Sequence, residues 1–408
     1  MRILVIAPHY TPDTAPTGTV ITTITDALVD RGHDLTMVSS LPWYRHHRVE
    51  SGWGGKLVRR ERTAQRTIVR LHPLPSDKGS LVRRAVAFGG FTIEAAVAAL
   101  LQGPRPDVVL AMSPPLTLGV AGWVAATRWR VPYVFNIQDV FPDVAVDVGA
   151  ITNRHVIRAA SALERWCYRR ADAVTVLSED LRRNVAAKIG PERESRVHVI
   201  PNFVDVDQIR PGPRINAYRA EFGLGDGPVV MYAGNLGHSQ PLDLVMAAAR
   251  RHPHVRFVIN GGGVARAELE RQAADLANVV FVDYQPAERL PEVLAAADVH
   301  LVLLKPRLAS ASVPSKLYSI LAAGRAVLAS VDPDTEVSRV RDTADAGRWT
   351  PAGDTDAFVA AVGELAADPV GLAAMGERGR DFVSAWQTPA AVAERYEELF
   401  VALRSERS

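Results

Sequence analysis

A chain of 408 residues, 48% hydrophobic and 23% charged, has the size and composition of a globular protein with two domains and separate cores, which excludes a disordered or low-complexity polypeptide. Its one cysteine, Cys167, excludes an internal disulfide and reads as a small buried apolar residue, and no apolar run reaches the roughly 18 residues of a membrane-spanning helix. The net charge is +2, but residues 1–200 hold 26 Lys and Arg against 18 Asp and Glu, residues 201–408 hold 21 against 27, and the first-half excess lies in Arg45 to Arg84, where anionic partners are expected.

Met1-Arg2-Ile3-Leu4-Val5 runs straight into a strand rather than a signal peptide, so a cytoplasmic protein is expected. The first unit reads as strand Ile3 to Ala7, a Pro/Thr/Gly loop from Pro8 to Thr19, a helix from about Val20 to Asp30 stopped by Gly32, and strand Leu35 to Ser39. The basic segment Arg45 to Arg84 follows, interleaved with Trp53, Leu57, Ile68, Val69 and Leu71 and preceded by Trp43 and Tyr44. Basic residues among aromatics suit an anionic membrane surface or a pyrophosphate-linked lipid, and an exposed arginine-rich loop without a partner is the alternative. No nucleic-acid recognition motif accompanies the charge, so no nucleic acid is expected as a partner. Ala85 to Leu101, interrupted by Gly89-Gly90, Thr92 and Glu94, reads as a buried or interfacial helix. Strands then fit Asp107 to Ala111, Tyr133 to Asn136, Ala173 to Leu177 and Val197 to Ile200.

After a Pro/Asp/Gly-rich stretch from Pro201 to Gly227 the alternation restarts at Val229 to Gly234, with further strands at Val255 to Ile259, Val279 to Val282, Val299 to Leu303 and Ala326 to Ser330. Alanine-rich helices close the chain, and Pro389 starts the last one. Two such series predict an α/β protein with two doubly wound, Rossmann-like domains facing a crevice.

Two loops carry chemistry. Gly18, among small hydroxyl residues ahead of the first helix, allows close approach of a phosphate or a sugar hydroxyl, with a plain turn as the alternative and His9 as either a ligand or a packed loop residue. Ser312-Val313-Pro314-Ser315-Lys316 precedes a helical run closed by Gly324, and a lysine at a helix start is disfavoured by the dipole unless an anion is bound there. A solvated lysine on an ordinary capped helix is the alternative. No full G-x-G-x-x-G follows a strand, which argues against a dinucleotide site.

In order and spacing, Gly18, Arg31-Gly32-His33, Gln138-Asp139-Val140-Phe141-Pro142-Asp143, Ile200-Pro201-Asn202-Phe203-Val204-Asp205, Tyr232-Ala233-Gly234-Asn235-Leu236-Gly237 and Pro314-Ser315-Lys316 through Gly324 resemble glycosyltransferase family 4. The likeness is to the branch of bacterial capsule, O-antigen and exopolysaccharide sugar transferases. It implies the GT-B fold: an acceptor domain over 1–205, a nucleotide-sugar donor domain over 206–385, and a C-terminal helix over 386–408 that crosses back to the first domain. It also implies retaining transfer from a UDP- or GDP-sugar, usually without a metal ion or other cofactor, to an acceptor glycan or a polyprenyl-linked sugar. Such a protein would be cytoplasmic and peripheral on the inner face of the plasma membrane.

By the resemblance, the donor meets Gly18, Asn235, Gly237, Gln240, Gly262, Tyr284, Gln285, Ser312, Val313, Pro314, Ser315, Lys316 and Ser319. Asp139, or Asp143 after it, faces the reacting sugar. The chain departs from many relatives in having Asn235 and Gln240 in place of an Arg and a Lys, and Ala311 and Ser319 in place of two glutamates. Lys316 is therefore expected to carry most of the donor's charge, with help from Lys305 or Arg307. A nucleotide-sugar epimerase and a non-catalytic subunit of a glycan assembly complex are the other readings.

Overall fold

The computed structural model of the chain describes residues 1–45, 48–73, 81–101, 103–237, 239–306, 308, 313–333, 335–386 and 388–407, with the backbone alone for 81–85 and 386. The chain divides into two compact units, Met1–Asn202 with Pro389–Ser408, and Phe203–Thr388.

The first unit holds β1 (Arg2–Ile6), β2 (Asp34–Ser40), β3 (Val58–Arg62), β4 (Arg66–Leu71), β5 (Val108–Ser113), β6 (Tyr133–Ile137), β7 (Ala173–Val176) and β8 (Val197–Val199) in the order β3-β4-β2-β1-β5-β6-β7-β8. All neighbours are parallel except β3 and β4, which pair antiparallel at the edge. The central strands β5, β6 and β7 are buried at every position, as a sheet covered on both faces requires.

The second unit holds β9 (Val229–Ala233), β10 (Arg256–Asn260), β11 (Val279–Val282), β12 (Val299–Leu303), β13 (Ala326–Val331) and β14 (Gly347–Pro351) in the order β11-β10-β9-β12-β13-β14, all parallel. This is the 3-2-1-4-5-6 order of a doubly wound sheet, and its topological switch lies between β9 and β12.

Three local features differ from the sequence expectation. The first helix begins at Pro16 rather than Val20, because proline's fixed φ suits the first helical turn. β3 and β4 arise inside the basic segment, where a run of consecutive charges hid any alternation; β3 reads Val58-Arg59-Arg60-Glu61-Arg62, a charged edge that discourages further strand pairing. Part of the basic segment also serves the fold. Arg70 is 1% exposed and donates to Glu61 at 2.9 Å and to the Tyr10 and Thr11 carbonyls, while Arg66 pairs with Asp26.

The helix Leu81–Leu100 buries Phe91, Ala95, Ala98 and Ala99 and turns Val86, Ile93 and Val97 outward, with Leu101 just beyond its end. Among the described residues no single helix is long and apolar enough to cross a membrane.

The last helix, Pro389–Ser405, belongs to the first unit and buries Val392, Ala393, Tyr396, Leu399, Phe400 and Leu403 along one stripe. Glu397 receives Arg31 at 2.6 Å, and Arg407 reaches Asp172 at 2.6 Å. Asn136 on β6 donates to the Tyr396 hydroxyl at 2.8 Å. Phe400→Ala, at a position with no exposure, is expected to destabilise the first unit by roughly 3–5 kcal/mol, read as a lowered denaturation midpoint of that unit's transition.

Candidate functional site

The loops leaving β9, β10 and β11 gather at the carboxyl edge of the second sheet, beside the short helix Lys316–Ala322. Gly234 after β9 and Gly261 after β10 touch through their backbones. A Cβ on Gly261 would lie 2.0 Å from the Gly234 carbonyl oxygen, and both residues have positive φ, so this approach requires glycine on both geometric and conformational grounds. Gly234 N–H donates to the Asn260 carbonyl and Leu236 N–H to the Gly262 carbonyl, each at 2.9 Å, which holds the two loops side by side.

A cavity of about 270 Å³ opens here. Its apolar wall is formed by Pro286, Leu290, Val293, Leu294 and Ile320, and its polar side by Lys316, Ser315, Ser319, Asn260 and His300. A second cavity of about 190 Å³, beside Arg2, Asp34, Arg66 and Trp129, lies at the amino ends of β1 and β2. Ligands of open parallel sheets bind at the other edge, so the cavity of the second unit is the candidate site.

Lys316 is its distinctive group. The residue as a whole is half-buried, but its Nζ is shielded from solvent and has no hydrogen-bond partner among the described residues. The ammonium lies 3.6 Å from the centroid of the Tyr232 ring, and a Cβ on Gly234 would come within 3.0 Å of it. Burial without a compensating acceptor pulls its pKa down to about 7. Tyr232 is oriented by a 2.9 Å bond from its hydroxyl to the Asn235 carbonyl.

One residue of this corner, His300, escaped the sequence reading. His300 on β12 is buried and donates Nε2–H to the Leu294 carbonyl at 2.8 Å, and burial lowers its pKa to about 4, so the ring is neutral. Asn260 accepts the Tyr218 hydroxyl at 2.8 Å. A lone polar residue in an apolar strand such as Val299-His300-Leu301 was the only available signal.

The other expected donor residues divide. Ser319 lines the cavity; Pro314 is half-buried and Ser315 exposed at the helix start, and Val313 packs on the core below. Tyr284 is 58% exposed, with its hydroxyl donating to the Gly262 carbonyl at 3.2 Å, so its ring spans the glycine loop at the cavity rim. Gln285 is turned onto its own loop, donating to the Asp283 carbonyl and accepting from Arg289. Gln240 accepts the Gly237 N–H at 3.2 Å and so closes a local turn, and Asn235 is exposed. Lys305 is also exposed, whereas Arg307, Ala311 and Ser312 lie outside the described residues.

Gly18 sits in the first turn of its helix, and the space beside it is taken by protein: a Cβ there would lie 2.9 Å from the His9 Cβ. On that side the missing Cβ serves the packing of His9 against the helix. His9 in turn pairs with buried Asp13 at 2.7 Å, and Asp13 also accepts the Tyr44 N–H at 3.2 Å.

Asp139 follows β6, half-buried, beside buried Gln138. A hydrogen-bond chain from Tyr396 through Asn136 and Gln138 to Asn202 braces this turn. Asp143 starts the short helix Asp143–Asp147 and is held by Lys188 at 2.8 Å and Asn184 at 2.9 Å. Lys188 also binds the fully buried Glu164 at 2.7 Å, and burial raises the pKa of that carboxyl. Asp143 is thus committed to a structural ion cluster.

Residues 17–202 match the family described as Glycosyl transferase 4-like domain and residues 227–368 that described as Glycosyl transferases group 1. A protein of Escherichia coli (strain K12) named as a colanic acid biosynthesis glycosyl transferase is 27% identical over 354 residues, 84% of this chain and 86% of its own. A GDP-mannose-dependent alpha-(1-6)-phosphatidylinositol monomannoside mannosyltransferase of Mycolicibacterium smegmatis is 35% identical over 232 residues, 53% of this chain and 59% of its own. Among solved structures, sucrose-phosphate synthase of Thermosynechococcus elongatus superimposes with a TM-score of 0.79 at 17% identity over 100% of both chains. HepE of Anabaena, in complex with UDP-glucose, superimposes with a TM-score of 0.74 at 16% identity over 99% of this chain and 100% of that one. These likenesses place the fold in the GT-B class.

Lys188→Met leaves Glu164 buried without its cation and is expected to destabilise the first unit by roughly 3–5 kcal/mol near neutral pH. A buried carboxyl with a raised pKa takes up a proton on folding, so stability falls as pH rises through the carboxyl range. The deficit of the variant therefore shrinks toward acid pH, measurable by urea denaturation at pH 5 and pH 7.5.

Proposed function

Because the chain belongs to glycosyltransferase family 4, we propose that this transferase moves a sugar from a nucleoside diphosphate donor to an acceptor hydroxyl with retention of the anomeric configuration. The observation that carries the donor assignment is the shielded, unpartnered Nζ of Lys316 at the carboxyl edge of the second sheet. A diphosphate supplies the charge and the acceptor oxygens that this ammonium lacks. The apolar wall of Pro286, Leu290 and Val293, with Tyr284 at the rim, suits the flat nucleobase. Ser319 stands beside the ribose as a neutral group where many relatives have a carboxylate.

In transfer, the bond from the anomeric carbon to the phosphate oxygen breaks, the acceptor oxygen bonds to that carbon, and the acceptor's proton passes to the leaving phosphate. Asp139 orients the acceptor hydroxyl or stabilises positive charge developing at the anomeric carbon. No metal ion enters this reading, since the family resemblance implies transfer without one. The relatives' names support a UDP or GDP donor and a place in cell-surface glycan assembly, and they are transferase names, which favours neither an epimerase nor a non-catalytic subunit.

A lipid-linked acceptor at an anionic membrane is supported by the outward face of the helix Leu81–Leu100, where Val86, Ile93, Val97 and the following Leu101 form one exposed apolar stripe. Glu94 of this helix interacts with His72, whose N–H bonds the carbonyl of exposed Leu57, and exposed Lys56 and Arg60 flank Leu57. Apolar side chains bordered by cations suit an anionic bilayer rather than a neutral one.

UDP or GDP is expected to raise the melting temperature, and Lys316→Ala to remove most of the shift, since loss of one charge-assisted contact costs roughly 1.5–3 kcal/mol. Absence of any shift with either nucleotide would count against the donor assignment. The protein is also expected to co-sediment with phosphatidylserine-containing vesicles more than with phosphatidylcholine vesicles. Ile93→Glu with Val97→Glu should weaken that binding at least about tenfold, because each buried side chain contributes roughly 1.5–3 kcal/mol.

A further inference from the structure

We propose that nucleoside diphosphate binding at this site is coupled to uptake of one proton by Lys316, so that the donor-binding lysine is neutral in the protein without nucleotide and charged in the complex. The inference rests on the donor reading above and adds a regulation to it.

The geometry supplies the reason. The Lys316 Nζ is enclosed by the Tyr232 ring, 3.6 Å from its centroid, and by the Gly234 backbone, and it has no hydrogen-bond acceptor among the described residues. An aromatic face offers an ammonium much less than a carboxylate or water does. The titratable and charged groups facing this corner are Tyr232 on β9, Tyr284 after β11, His300 on β12 and, beyond His300, Arg325 and Asp298. No carboxylate among the described residues acts on Lys316, and its only resolved influence is loss of solvent, which draws it down to about 7.

His300 is neutral well above its own pKa of about 4, and burial pushes Tyr232 upward, so neither exchanges a proton between pH 6 and 8. A fully ionised diphosphate brings two or more negative charges to Nζ. The lysine then binds a proton from solvent, the ammonium donates to phosphate oxygens, and no other bond changes. Affinity therefore falls as pH rises above neutrality, because a growing share of the protein must be protonated before it binds.

The test is titration calorimetry with UDP and with GDP at pH 8.0 and pH 6.5, in Tris and in HEPES, whose ionisation enthalpies differ. The buffer dependence of the heat reads proton uptake directly. Uptake approaching one proton per nucleotide is expected at pH 8.0 and distinctly less at pH 6.5, with affinity weaker at pH 8.0 than at pH 7.0. Lys316→Met is expected to bind weakly and to show no proton uptake at pH 8.0, where the terminal phosphate of either nucleotide is already ionised. Tight binding at pH 8.0 without uptake overturns the coupling and leaves the donor reading standing, whatever the variant does. Failure of both nucleotides to bind at any pH overturns the donor reading and the coupling together.

Discussion

A lysine side chain pressed against an aromatic ring, with no hydrogen-bond acceptor among the described residues, sets the character of the candidate site in the second unit. Lys316 can occupy that place only because Tyr232, Gly234 and the glycine loop after β10 leave a slot for it. No acceptor among the described residues compensates a charge there, so the proposed donor would bring the amine its proton and its hydrogen-bond acceptors together.

The backbone around Lys316 follows from the same constraint. Two loops meeting through glycine backbones place several main-chain groups at the edge of the sheet without side chains intervening. Side chains that relatives use as charged helpers are replaced here by amides, and Gln240 and Gln285 spend their polar atoms on local turns. The charge of the site is thereby concentrated at Lys316.

The first unit solves a different problem, that of holding one carboxylate at a sheet edge. Asp143 is neutralised by Lys188, which also compensates buried Glu164, while the adjoining turn with Asp139 is braced by amides that run back to Tyr396 on the last helix. A helix from the far end of the chain is thus part of the support for a loop at residue 139. Removing solvent from these groups makes each of their hydrogen bonds matter more, since an unsatisfied partner in a dry interior has no water to turn to.

Much of this protein was legible in its sequence, because strand and helix periodicity and the punctuation of glycine and proline are local properties. Two βαβ series, the break near residue 200, the strands β11 and β12, the loop Pro314-Ser315-Lys316 and the final helix starting at Pro389 all belong to that class. Which polar groups are buried, and against what, is not local. Arg70 looked like surface charge until Glu61 of β3 and the Tyr10 and Thr11 carbonyls closed around it, the side of Gly18 is packed by His9, and Asp143 is bound by Lys188, 45 residues later. The expectation that Lys316 meets an anion came from its loop. Its shielded, partnerless state was decided only by tertiary structure, since burial is set by Tyr232 and Gly234 on a strand and loop some eighty residues away.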